Sequence, residues 1–326
     1  MPRRSNRDDN INIRPLIDAF GRLSGRGQII VIAIVVAFAI GFLIYQRHQS
    51  NVTTTAALND VNMLLGNPSN ATANGSGANN YLMLKPYFAL SYNATNGTPN
   101  WVSWRVTAAD LGTAARKQTF DTDNTLPASF YHVTHADYSG SGFDRGHMCP
   151  HGDRQASTDM SYATFVMTNI IPQAPNVNRK AWDQLEIYGR ELVRRDHARI
   201  YVIAGPSGRG GVGSAGPRDT IAHGSVVVPS ECWKIIVVVP ESGGDQDLSK
   251  INAATRVIAV IMPNDDTKVG DEWAGFRTSP AQIESHTGLH FFTNFAPDIA
   301  SALRQKIDAE HIPPPRPFNR EASDAR

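Results

Sequence analysis

Cysteine is nearly missing. Two residues, Cys149 and Cys232, in a chain of 326 exclude a disulfide scaffold and leave room for at most one bridge. An excess of charge is missing too. Lys and Arg total 31 against 30 Asp and Glu, so net charge does not draw the chain to polyanions, and any phosphate binding must come from a local basic patch. The sequence has no internal repeat, which removes solenoids and propellers. Long apolar runs are absent with one exception. At 41% hydrophobic and 19% charged residues the remainder is ordinary globular sequence, long enough to bury a substantial core. Composition alone names no function.

The exception lies near the N-terminus. From Ile29 to Tyr45 the chain reads IIVIAIVVAFAIGFLIY without a charge, close to the shortest helix that crosses a hydrocarbon core of about 30 Å. Arg3, Arg4, Arg7, Arg14, Arg22 and Arg26 precede it, whereas Arg47 is the only Lys or Arg between it and Lys85. The positive-inside rule therefore predicts a single-pass anchor with its N-terminus in the cytoplasm and the rest of the chain outside: periplasm, cell surface or an organelle's intermembrane space. A cleaved signal peptide competes, weakened by the long leader and the lack of a small-x-small site after the run; a buried core helix is a third reading. The expected organisation is a cytoplasmic segment over 1–28, an anchor over 29–45, a flexible tether rich in Asn, Thr, Ala, Gly and Ser over 46–80, a folded domain over 81–309 and a disordered tail over 310–326.

Within the domain, Val- and Ile-rich segments bounded by Gly, Pro or Asn read as strands: Trp101–Thr107, Thr164–Ile171, Arg199–Ala204, Ser225–Val228, Trp233–Val239 and Arg256–Met262. Few crossover helices separate them, so the predicted class is α+β, a largely antiparallel sheet flanked by helices. Ala181, Leu185, Tyr188 and Leu192 recur at helical spacing and predict a helix from Asn178 to Asp196. Further helices are expected over 280–287, stopped by Gly288, and over 298–309. Gly208 to Gly213 spells G-x-G-x-x-G, but Ser214-Ala215-Gly216-Pro217 cannot readily open the helix that a dinucleotide site requires, and a loop is expected there.

The densest chemistry sits in Ser141-Gly142-Phe143-Asp144-Arg145-Gly146-His147-Met148-Cys149-Pro150, where an acid, a guanidinium and an imidazole fall within four positions. His147, with an ordinary pKa of about 6.5, can be neutral at physiological pH and take a proton from water. Arg145 offers a planar donor suited to phosphate oxygens. Zinc is a rival: on an extended strand His147, Cys149 and His151 share a face, though Pro150 interrupts the strand and no fourth ligand follows from the spacing. A purely structural His147 is another. On the helix, Asn178 offers an amide oxygen to a hard cation that keeps most of its waters. Glu186 and Arg190 follow within roughly a third of the circumference at about 100° per residue. Taken alone, those two read as an exposed i,i+4 ion pair of about 0.2 to 0.5 kcal/mol.

These residues carry a family resemblance. Ala136 to Met148, Thr168-Asn169-Ile170-Ile171-Pro172-Gln173 and Asn178 to Glu186 resemble the DNA/RNA non-specific endonucleases of the ββα-metal (His-Me finger) group. The likeness extends through Tyr201–Pro206, Val228-Pro229, Trp233-Lys234, Val260–Asn264 and Thr287–Phe292, and its Asp-Arg-Gly-His signature and Asn-x-x-x-Trp helix are specific. The resemblance implies a ββα-metal nuclease fold and magnesium-dependent hydrolysis of DNA and/or RNA to 5′-phosphate products, with manganese as a substitute. It implies that His147 is the general base, Asn178 the single direct magnesium ligand and Glu186 an outer-shell residue holding metal-bound water. Arg190 and Arg145 would contact the phosphate, Asn169 would orient the site, and Arg116 loosely matches a further family arginine. The resemblance reverses the surface-pair reading of Glu186 and Arg190.

Arg179 and Lys180, with Arg194, Arg195 and Arg199, would extend a basic track along a nucleic-acid substrate, and a homodimer is open because relatives often pair. Two features depart from the family: Cys149, a disulfide partner or an oxidation-sensitive group where alanine is also common, and the membrane anchor, which rests on the apolar run alone. Two other functions compete, a membrane-tethered nucleic-acid-binding module without catalysis and a hydrolase of other phosphodiesters or phosphomonoesters.

Overall fold

The structure, a computed structural model, describes Arg14 and residues 20–74, 77–241 and 247–312. The chain divides into two units, residues 1–51 and 52–326. The first carries a helix that begins at Gly25 and runs on to Asn59. Ser24 starts it, its hydroxyl accepting the Gly27 N–H at 3.3 Å. The stretch Gly25–Phe42 is long and apolar enough to cross a membrane, and none of it is buried; anchors and signal sequences share that property. Most of the expected cytoplasmic segment, and the expected tail from residue 313 on, lie outside the described residues.

The second unit is built on a seven-stranded sheet. Its strands lie in the order Tyr81–Leu84, Ala89–Asn93, Thr98–Val106, Ala198–Ser207, Glu231–Pro240, Arg256–Pro263 and Arg277–Thr278, every neighbouring pair antiparallel. Side chains alternate across a strand, so in Glu231–Pro240 the residues Trp233, Ile235, Val237 and Val239 enter one core while Cys232 and Ile236 enter the other. Both faces are covered, which is why these strands read as continuous apolar runs rather than as an alternation. On one face lie Ile283, Phe291, Phe292 and Leu303, from and between the helices Pro280–Thr287 and Pro297–Arg304. The other face carries Trp182, Leu185 and Leu192 of the helix Trp182–Arg195. Residues 107–197, the excursion between two adjacent central strands, hold the candidate site on this second face.

The flexible tether expected over 46–80 is corrected. The helix continues to Asn59, and beyond it Met63, Leu65 and Ala71 are buried. Asp60 caps a short turn by accepting the Asn62 N–H at 2.7 Å, Ser103 donates to the Asn62 carbonyl at 2.5 Å, and Asn67 pairs with both the N–H and the carbonyl of Ala71 at 2.9 Å. Asn and Ser read as linker residues because their side chains compete with regular backbone hydrogen bonding; here that same capacity closes the loops.

Smaller differences have similar causes. Thr164–Ile171 is not one strand: the Asn169 N–H closes a turn onto the Val166 carbonyl at 2.9 Å, and the strand begins at Ile170. The last helix ends at Arg304, and Asp308, expected within it, instead accepts from Arg256 at 2.7 and 3.0 Å. Gly211–Gly213 forms a hairpin with Gly216–Arg218 and leads into no helix.

Candidate active site

Asp144–His147 pairs antiparallel with Ile170–Gln173, His147 lying opposite Ile170. Gly146 is needed there, because a Cβ would stand 2.3 Å from Gln173 Oε1 and 2.6 Å from its Cβ. Past His147, the Met148 N–H donates to the Asn169 carbonyl at 2.9 Å. The fully buried Asn169 side chain accepts from the Cys149 N–H at 2.9 Å and donates to the carbonyls of Cys149 at 2.8 Å and Thr164 at 2.9 Å. Asn169 thus sets the path of the backbone leaving the histidine.

The His147 ring packs against Phe120 and Phe165, with centroids 5.1 and 4.8 Å away. It is 8% exposed, and its Nε2 is buried without a hydrogen-bond partner among the described residues. Burial, then the charges of Arg116 and His151, hold its pKa well below the usual imidazole range, so it is neutral at neutral pH. Zinc does not fit. His151 places Nδ1 2.8 Å from Ser161 Oγ and Nε2 3.0 Å from Gln155 Nε2. Both cysteines are free and buried, and burial raises both thiol pKa values. Among the described residues there is no group of three His, Cys, Asp or Glu able to hold a metal.

The helix opens irregularly. Val177–Ala181 is a π-helical turn, and regular α-helix begins at Trp182. The wider turn changes the angular relation between Asn178 and Glu186 that a uniform 100° step predicts. Asn178 is tied to the histidine strand: its Nδ2 donates to Asp144 Oδ2 at 2.9 Å, which leaves the amide oxygen facing away from that bond. Arg179, expected on the substrate track, forks onto the same carboxylate at 2.7 and 2.6 Å. Lys180 beside it is half-buried.

Glu186 and Arg190 are not a surface pair. Glu186 Oε1 accepts from Lys234 Nζ at 2.9 Å, the two side chains 11% and 2% exposed. Arg190, 8% exposed, donates to Asp153 Oδ1 at 3.1 Å, and Asp153 Oδ2 accepts from Trp104 Nε1 at 2.9 Å. Burial pushes the Glu186 pKa up to about 7, against the opposing charges of Lys234 and Arg190. Arg145 donates to the His135 carbonyl at 3.1 and 2.5 Å; its guanidinium braces the 135–139 turn instead of standing free for a phosphate. Arg116, the loosest of the matched positions, is exposed, lies 5.2 Å over the Phe165 ring and sits in the field of the Glu186, Asp183 and Asp144 carboxylates.

Several partners escaped the sequence reading. Asp144 stood in the signature without a role, although its place in the strand now joins hairpin to helix. Lys234 had a signal: it is the one cation in the buried run Cys232–Val237. Asp153, Trp104, Phe120 and Phe165 had none, since only the fold brings them together.

The donor set fits a hydrated hard cation better than a caged one. Asn178 Oδ1 and Glu186 Oε2 have no hydrogen bond among the described residues, and such a sparse set suits an ion that keeps most of its water. A neutral buried imidazole, flanked by arginines and carboxylates on an antiparallel sheet with a hairpin and helix laid against it, belongs to a nucleic-acid hydrolase. Residues 65–298 match the family described as DNA/RNA non-specific endonuclease, and the chain belongs to that family. A nuclease from Nostoc sp. is 42% identical over 277 residues, 85% of this chain and 97% of that protein. Human mitochondrial nuclease EXOG is 31% identical over 222 residues, 66% of this chain and 57% of its own length. A crystal structure of an EndoG/EndoGI complex matches with a TM-score of 0.54 at 25% identity, covering 66% of this chain and 86% of that one.

Proposed function

We propose that the protein is a ββα-metal endonuclease that hydrolyses DNA and/or RNA phosphodiesters in the presence of magnesium, with manganese able to substitute. The observation that carries this reading is His147: burial holds its imidazole neutral, and its strand is bound through Asp144 to Asn178 at the start of the helix. His147 takes a proton from a water directed at phosphorus. Asn178 would hold the cation through its amide oxygen, and Glu186 would hold one of the cation's waters through Oε2. When bound, the cation supplies charge neutralisation at the phosphate and at the leaving 3′ oxygen, consistent with 5′-phosphate products. Arg116, and Arg190 at the margin of its pairing with Asp153, face the non-bridging oxygens. Arg145 and Arg179 act on the framework. Contacts to phosphate carry no sequence information, so cleavage is indifferent to base sequence. The N-terminal helix serves as an uncleaved membrane anchor that presents the domain outside the cytoplasm.

The test is a plasmid-nicking assay with magnesium, manganese or chelator, run beside a structured RNA. The wild-type protein is expected to nick with either metal and to stop with chelator, and His147→Ala to lose about 10²- to 10⁴-fold in rate. Full magnesium-dependent cleavage by a folded His147→Ala protein would overturn the assignment.

A further inference from the structure

The strand Glu231–Pro240 runs through the middle of the sheet and is buried along most of its length, yet it carries an ammonium group: Lys234 is 2% exposed. A buried cation is strongly disfavoured unless it is paired and its protons are placed. Alternation sends Lys234 to the same face as Cys232 and Ile236, the face that carries the site. There Nζ donates to Glu186 Oε1 at 2.9 Å, lies 4.1 Å from the centroid of the Trp182 ring and 5.7 Å from that of Trp104. Both indoles are 1% exposed. Trp182 opens the α-helix that carries Glu186, and Trp104 donates to Asp153, the partner of Arg190. The ammonium therefore sits in a slot walled by two buried rings, and it grips a single oxygen of Glu186. Oε2 has no hydrogen bond among the described residues.

We propose that Lys234 is a positioning residue: by holding Oε1 in the slot between the two tryptophans, it keeps Oε2 of Glu186 turned toward the hydrated cation at Asn178. This rests on the outer-shell reading of Glu186 given above. Neutralising a buried carboxylate does not by itself explain a lysine, since a well-packed apolar pair serves stability as well or better. A fixed single-oxygen grip explains both the lysine and its buried aromatic walls, and residues that orient a metal's shell in this way affect affinity or activity by about 10- to 100-fold.

Full-length protein in detergent is compared as wild type, Lys234→Met, Lys234→Arg and Glu186→Gln. Plasmid cleavage supplies kcat and KM, calorimetry without nucleic acid supplies the Mn²⁺ dissociation constant, and melting temperature reports the fold. Lys234→Met is expected to lower kcat about 10- to 100-fold and to weaken Mn²⁺ about tenfold, with KM for DNA within about twofold. Because that variant strands a buried carboxylate and can unfold, Lys234→Arg decides. Arginine keeps the charge, but its planar fork takes both carboxylate oxygens. A folded Lys234→Arg protein with kcat reduced about tenfold and weaker Mn²⁺ binding is expected. Wild-type kcat and Mn²⁺ affinity in folded Lys234→Arg or Lys234→Met overturns the proposal, because a simple counter-charge or packing group would then suffice. Unfolded Lys234→Arg counts against it equally, since packing alone would be at stake. Failure of the underlying reading looks different: Glu186→Gln itself would then cleave at the wild-type rate.

Discussion

Most of the candidate site's chemistry follows from what each side chain is prevented from doing. His147 is kept from its proton by burial and by the charges of Arg116 and His151. A histidine with a depressed folded pKa contributes stability that is fully present above the unfolded value of about 6.5 and is lost as pH falls toward the folded value. Between pH 7.5 and pH 5.5 the wild type should therefore lose stability that His147→Ala does not lose, the unfolded chain taking up a proton more readily than the folded chain. Urea denaturation of both proteins at the two pH values measures it; parallel losses would show that the imidazole is protonated in the folded state. Glu186 titrates in the opposite sense and is common to both proteins, so it drops out of the difference. At this scale the sequence was informative about residue identity and poor about pairing. Arg145 and Arg179 are cations beside a histidine and an asparagine in the sequence, but both are turned onto the framework, onto the His135 carbonyl and the Asp144 carboxylate. Nothing local distinguishes such an arginine from a free one.

The hairpin and the helix depend on each other. Gly146 leaves room for the buried Gln173 side chain, whose Oε1 would lie 2.3 Å from a new Cβ. Gly146→Ala is thus expected to destabilise the protein by about 1 to 3 kcal/mol, as overpacking does, and to lower activity because the strand that moves carries His147. Thermal melting and the nicking assay check it, and an unchanged melting temperature would mean that Gln173 yields freely. Helix and strand existence was legible wherever periodicity was sustained: the helix Pro280–Thr287 with its glycine stop lies as expected, and the central strands differ from their predicted bounds by a residue or a few. The π-turn at Val177–Ala181 was not legible. It contains no Gly or Pro to mark an irregular turn, and it coincides with the hydrogen bonds that Asn178 and Arg179 donate to Asp144 on another strand.

For the whole molecule, the folded unit reaches back to Asp60, so a chain lacking residues 1–59 is expected to fold, to stay in solution without detergent and to cleave plasmid like the full chain. The full chain is expected to sediment with membranes through its apolar helix. Sedimentation of both forms with lipid vesicles, beside a nicking assay, tests this; a truncated form that still sediments would remove the helix as the anchor. The sequence by itself supplied the candidate site residues, the apolar N-terminal run and the antiparallel character of the sheet, because these depend on residue type and on short periodic spacing. The tertiary structure decided which charges are paired, that Lys234 from a central strand grips Glu186, and that an Asn-rich segment is folded rather than slack. Those outcomes depend on contacts between residues 34 to more than 200 positions apart, and no local pattern encodes a partner that distant.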